Sequence, residues 1–84
     1  MNRKYMGLHV QYYGMLAEVT GQAEENWLES GRLTVGEFRK LVTDKYPELL
    51  GKKFKIAVNR RISEDLAPID PQSEIALLPP FAGG

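Results

Sequence analysis

The sequence predicts a single small α+β domain, a mixed sheet of four to five strands packed on one main helix. Three observations predict it. Residues 6–12 and 54–58 alternate between apolar and polar positions, the period of a half-buried strand. Residues 34–46 carry apolar side chains at helical spacing behind an N-terminal capping signal. Residues 74–78 form a short, almost wholly apolar run, the pattern of an interior strand. One helix can cover one face of such a sheet in a two-layer domain.

Taken in order, Met6, Leu8, Val10 and Tyr12 alternate with Gly7, His9, Gln11 and Tyr13, so the first strand has one apolar face. Tyr12 and Tyr13 then point to opposite sides, and one of them is a candidate for a partner surface. Gly14 and Gly21 bracket a short helical turn. Residues 23–29 are a weaker strand with Trp27 inward, and Ser30-Gly31 marks a turn. Thr34-Val35-Gly36-Glu37 has the form of a capping box, in which Thr and Glu satisfy each other's orphan N–H groups. Val35, Phe38, Leu41, Val42 and Tyr46 share one side of the helix that follows; Glu37, Lys40 and Asp44 line the other, and Pro47 ends it. A charged loop holds Gly51, Lys52 and Lys53. Phe54, Ile56 and Val58 alternate as a strand, Asn59-Arg60-Arg61 turns out of it, and Ile62 is a candidate start of a short strand. Residues 65–73, with two prolines, read mostly as loop. Residues 74–78 close the domain as a central strand buried on both faces. Residues 1–78 thus form the domain and 79–84 a flexible tail.

Composition bounds the function. A chain of 84 residues buries only about 60% of the surface its unfolded form exposes, so no deep pocket is expected. Eleven acidic and eleven basic residues give no net charge, which argues against nucleic acid as the main partner. The absence of cysteine excludes a disulfide framework and a thiolate metal site, and suits a reducing cytoplasm. No apolar stretch approaches the ~18 residues of a membrane span, so a cytoplasmic protein with no membrane partner is expected. The single histidine, His9, lies on the polar phase of the first strand, where a surface role is favoured over a ligand or base. Lys52, Lys53 and Lys55, clustered with Phe54, read as a solvated turn, with an acidic patch on a partner second and RNA a distant third; Arg60-Arg61 reads as a turn, with docking as the minority reading.

The end of the sequence carries the chemistry. Leu78-Pro79-Pro80-Phe81-Ala82-Gly83-Gly84 follows the last strand. The prolines fix φ near −65° and hold the end extended, while Ala82, Gly83 and Gly84 are slim enough for a narrow channel. The bland alternative is a floppy end. An α-carboxyl with a pKa of about 3.5 is an anion at neutral pH and a poor electrophile. It needs activation, and no phosphate-cradling loop here can bind ATP, so ATP belongs to an activating partner and this chain binds no cofactor or metal.

The ending from Ala76 to Gly84, with Pro-Pro-x-Ala-Gly-Gly after an apolar strand, resembles that of the small, sulfur-carrying subunit of molybdopterin synthase, the MoaD type. The likeness covers nearly the whole chain, including Val10-Gln11-Tyr12-Tyr13-Gly14-Met15-Leu16-Ala17-Glu18, the helix from Thr34 to Pro47, and Ile56-Ala57-Val58-Asn59. One departure stands before the last strand, where the family usually carries Gly-Asp and this chain has Gln72-Ser73. The resemblance implies a ubiquitin-like β-grasp fold. It implies that an E1-like enzyme adenylates Gly84, that sulfur from a persulfide donor system displaces AMP to leave a thiocarboxylate, and that the tail threads into the large synthase subunit. There it donates sulfur to a cyclic pterin precursor, so the chain is not an enzyme by itself but one subunit of a heterotetramer. Gly84 is then the reacting residue, Gly83 and Ala82 thread the channel, and Phe81, Pro80, Pro79 and Leu78 contact the partner. Three alternatives stand beside this: a sulfur carrier for thiamine or tRNA thiolation, a ubiquitin-like modifier conjugated through Gly84 to lysines, and an interaction module whose end does no chemistry.

Overall fold

The computed structural model describes residues 7–28 and 32–80. The first strand, β1 (Gly7–Tyr12), buries Leu8, Val10 and Tyr12 and leaves Gly7, His9 and Gln11 half-exposed, as its alternation requires. A short helix, α1 (Met15–Thr20), anchors Leu16 in the core and stops at Gly21, whose left-handed backbone (φ 81°) closes it with a hydrogen bond to the Ala17 carbonyl. Next comes β2 (Glu24–Leu28). The expected turn at Ser30-Gly31 lies outside the described residues.

The two-residue strand β3 (Leu33–Thr34) leads into the main helix, α2 (Val35–Lys45). The capping box forms as the sequence predicts: the Glu37 N–H donates to the Thr34 hydroxyl at 3.1 Å, and the Thr34 N–H donates to the Glu37 carboxylate at 2.9 Å. Val35, Phe38 and Val42 are fully buried, one side of the helix pressed on the sheet. Pro47 then starts a 3-10 turn (Pro47–Gly51) rather than a plain loop, and that turn buries Leu49.

β4 (Lys55–Val58) and β5 (Arg61–Ile62) form a hairpin through Asn59 and Arg60, both left-handed (φ 49° and 73°), the turn that matches strand twist. The stretch read as mostly loop contains β6 (Pro68–Ile69), which pairs antiparallel with β3 and buries Ile69. The final strand is β7 (Glu74–Leu78).

The main sheet runs β2-β1-β7-β4-β5, with β1 and β7 parallel at its centre and the other pairs antiparallel. The predicted central position of the last strand is therefore observed. Its predicted burial on both faces is not. Ile75 and Leu77 are fully buried toward α2, but Ala76 and Leu78 stay half-exposed, because one helix covers only one face of the sheet. Among the described residues, no helix is long and apolar enough to cross a membrane.

Candidate functional site

Because β1 and β7 run parallel side by side, both end at the same edge of the domain. The Tyr13 N–H donates to the Leu77 carbonyl at 3.1 Å and locks the two exits together. Gly14 follows with φ 60° and ψ −135°, a conformation that side-chain-bearing residues avoid. Pro79 packs on it closely: a Cβ at Gly14 would lie 3.1 Å from the Pro79 Cγ. The root of the tail is thus clamped, and Leu78, Pro79 and Pro80 are each half-buried. Phe81, Ala82, Gly83 and Gly84, the other predicted site residues, lie outside the described residues.

From this root a trough of about 490 Å³ runs across the uncovered face of the sheet. Its floor is made of small residues in register, Ala57 of β4 opposite Ala76 of β7, flanked by Gln11 on one side and Ile62 on the other. Leu78 and Tyr13 stand at the tail end, Arg60 and Glu74 at the far end. Tyr13 is 45% and Ile62 55% exposed, so apolar side chains stand at both sides of a trough that Gln11, Arg60 and Glu74 make polar elsewhere. Of the two tyrosines, Tyr12 is the core residue and Tyr13 the surface one. Sequence reasoning named Leu78 here but missed Ala57, Ile62 and Ala76. The available signal was the excess of apolar residues on the polar phase of β4, β5 and β7.

The departure at Gln72-Ser73 now has a structural account. Gln72 is left-handed (φ 70°), a conformation that glycine adopts without strain. Ser73 is buried and ties the turn: its hydroxyl donates to the Asp70 carbonyl at 2.7 Å and its N–H to the same oxygen at 3.2 Å. The His9 N–H then donates to the Ser73 carbonyl at 3.2 Å, which carries the turn into the β1 edge.

Two polar clusters flank the sheet. On the covered side, the Glu25 carboxylate accepts from the Tyr12 hydroxyl (2.8 Å), the Tyr46 hydroxyl (2.8 Å), the Trp27 indole (3.1 Å) and the Lys45 ammonium. Burial alone would raise this carboxyl, but the hydrogen bonds from Lys45, Tyr12, Tyr46 and Trp27 outweigh it and hold the pKa below its ordinary value. Burial and the same carboxylate push both tyrosines up. On the open side, the His9 ring contacts the Asn26 amide oxygen (2.9 Å) and the Glu24 carboxylate (2.9 Å). The Asn26 contact, with Glu24 behind it, raises the His9 pKa against a small burial effect. Both rings of contacts are structural. Among the described residues no group of three or more histidines and carboxylates could hold a metal ion. What the domain offers is a clamped root for the tail at Pro79 and a trough of mixed polarity, with a floor of small apolar residues, beside it.

A mixed five-stranded sheet with parallel central strands, grasping one main helix, defines the ubiquitin-like β-grasp class. A sequence model of the ThiS family matches residues 10–84, and the chain belongs to that family. Solved structures agree on the fold. A Pyrococcus furiosus protein named as a candidate molybdopterin converting factor, subunit 1, superposes with a TM-score of 0.82 at 15% identity, over 90% of this chain and 99% of its own. SAMP1 of Haloferax volcanii does so at 0.76 and 22% identity, over 93% and 99%. The HVO 2177 protein of Haloferax volcanii matches at 0.78 and 25% identity, over 94% and 87%.

Proposed function

We propose that this protein is a sulfur carrier in molybdenum cofactor biosynthesis, the small subunit of a molybdopterin synthase. One observation carries the reading: the clamped exit of the central strand β7 sets the root of the tail, Pro79-Pro80, beside an open trough, in a chain whose family match runs through residue 84. An E1-like enzyme joins the Gly84 carboxylate to AMP, with pyrophosphate leaving from ATP. A persulfide attacks the acyl carbon and expels AMP, and a thiol then cleaves the resulting acyl disulfide to leave the thiocarboxylate. Gly83 and Ala82 keep the end narrow, and Phe81, Pro80, Pro79 and Leu78 dock it on the large subunit. The trough is the face that subunit covers, which explains why Ala76 and Leu78 are apolar yet uncovered by the chain's own helix. The chain supplies the carrier and the partner supplies the catalytic groups.

A second reading has its own support. Structures of small archaeal modifier proteins from Haloferax volcanii and Methanosarcina acetivorans superpose on this fold. In that reading the adenylated Gly84 is passed to lysine amines of other proteins. Intact mass of the purified protein, incubated with the activating enzyme, ATP and a persulfide source, separates the two. Exchange of one terminal oxygen for sulfur, with cofactor synthesis lost on deleting Gly84, is the expected result. Isopeptide adducts with unimpaired cofactor synthesis would establish the modifier instead.

A further inference from the structure

The helical layer, opposite the trough, carries a second concave surface: a groove of about 260 Å³ between α2 and the 3-10 turn. Its floor is apolar, with Leu49 fully buried and Phe54 8% exposed. Leu50 stands at its rim 74% exposed, a large apolar side chain that the core does not use. Every charged residue lining the groove is a cation: Arg39, Lys40 and Lys52. Arg39 is already occupied. Its guanidinium lies 5.1 Å above the Phe54 ring, donates to the Phe54 carbonyl at 3.2 Å, and pairs with Asp65 at 3.3 Å. Lys40 and Lys52 pair with no carboxylate among the described residues, and Lys53 adds a third cation beside Lys52. The carboxylates of the same elements do not answer them: Glu37 is held in the helix cap, and neither Asp44 nor Glu48 lines the groove. In a chain of zero net charge this is a local positive excess around an apolar floor.

We propose that this groove docks an acidic segment of a partner protein through a single aliphatic or aromatic anchor. The anchor lies on Leu49 and Phe54 beside Leu50, and carboxylates on either side of it meet Lys40 and Lys52. The apolar floor makes the site selective for an anchored peptide over a plain polyanion. The proposal is independent of what Gly84 does. Because the groove and the trough lie on opposite layers, a protein docked here leaves the tail free to engage a second one.

The test uses the full chain and a fluorescein-labelled peptide, Asp-Glu-Glu-Leu-Phe-Glu-Asp-Asp. Binding with a Kd on the order of 10–100 µM is expected. Amide shifts in NMR spectra should change along α2 and residues 47–54 and leave β7 unchanged. The double variant Lys40→Glu/Lys52→Glu and the single variant Leu50→Ser should each weaken binding about tenfold with the fold intact by circular dichroism. Deletion of Gly83 and Gly84 should change nothing. Three results would overturn the proposal: shifts centred on the trough, no binding at millimolar peptide, or equal binding of a peptide with serine in place of leucine and phenylalanine. Equally tight binding of polyuridylate would do the same, since it would show a surface that reads charge alone.

Discussion

Removing the Glu25 carboxylate should loosen the attachment of α2 to the β1–β2 hairpin more than any other surface-reaching substitution in the chain. Glu25→Ala removes the acceptor of the Tyr12, Tyr46 and Lys45 donors and leaves the Trp27 indole only its longer bond to the Tyr12 hydroxyl (3.3 Å). The Tyr12 hydroxyl belongs to a residue only 3% exposed, so its loss should contribute about 1–2 kcal/mol of destabilisation. Tyr46 and Trp27 are half-buried, and water replaces part of what they lose, about 0.5–1 kcal/mol each. The Lys45 side chain is 48% exposed, so its ion pair adds little, about 0–0.5 kcal/mol. The expected total is roughly 2–4.5 kcal/mol, a large share of the stability of a small domain. Urea unfolding should show a lower midpoint at unchanged slope. A loss below about 0.5 kcal/mol would refute the reasoning, because it would mean that water already satisfies these donors. The pH dependence gives a second check. The folded carboxyl is held below its ordinary 4.5, so its contribution is present above that value and disappears as pH falls through the folded pKa. The stability gap between the wild type and Glu25→Gln should therefore be full near neutrality and narrow on acidification below about 4.5.

Other predictions concern the turns and the open face. Gly14→Ala should destabilise by about 2–3 kcal/mol, since it forces a Cβ into a glycine conformation and against Pro79, and it should slow tail activation as well; wild-type thermal stability would exclude the clamp. His9 should titrate above 6.5 by NMR, and Asn26→Ala should bring it down. Its raised pKa means that protonated His9 favours the fold at low pH, a contribution that fades as pH rises through the folded pKa.

The parts of this fold that were legible in the sequence are those with enough residues to show a period. β1 has six residues and α2 eleven, and the capping box at Thr34 announces the start of α2. β3 and β6 have two residues each, too few for any alternation, and form because β6 buries Ile69 beneath a long-range pairing, Thr34 with Pro68 and Leu33 with Ile69. No local pattern encodes a pairing between residues so far apart in the chain. The Glu25 cluster was equally hidden: its donors come from β1, β2 and the end of α2, and only the tertiary fold brings Tyr12 and Tyr46 to one carboxylate.

The misreading of β7 is the most useful of these differences. Five apolar-rich residues at the centre of a sheet look, in sequence, like a strand covered twice by its own chain. The chain has one main helix, and that helix covers Ile75 and Leu77. A run of apolar residues therefore does not by itself mean that the chain's own elements cover both faces. Counting layers separates the cases: with a single helix for a five-stranded sheet, one face is left over, and Ala57, Ile62, Ala76 and Leu78 collect on it next to the exit of the tail. Charged substitutions at Ile62, Ala76 or Leu78 should leave the fold intact and abolish binding of the partner proposed to receive Gly84. Ala76→Asp is the sharpest of them, since it sets an uncompensated charge on the trough floor while Ile75 and Leu77 keep the core side unchanged. Retained sulfur transfer in a stably folded Ala76→Asp protein would mean that the tail alone is recognised and that the apolar face serves something else.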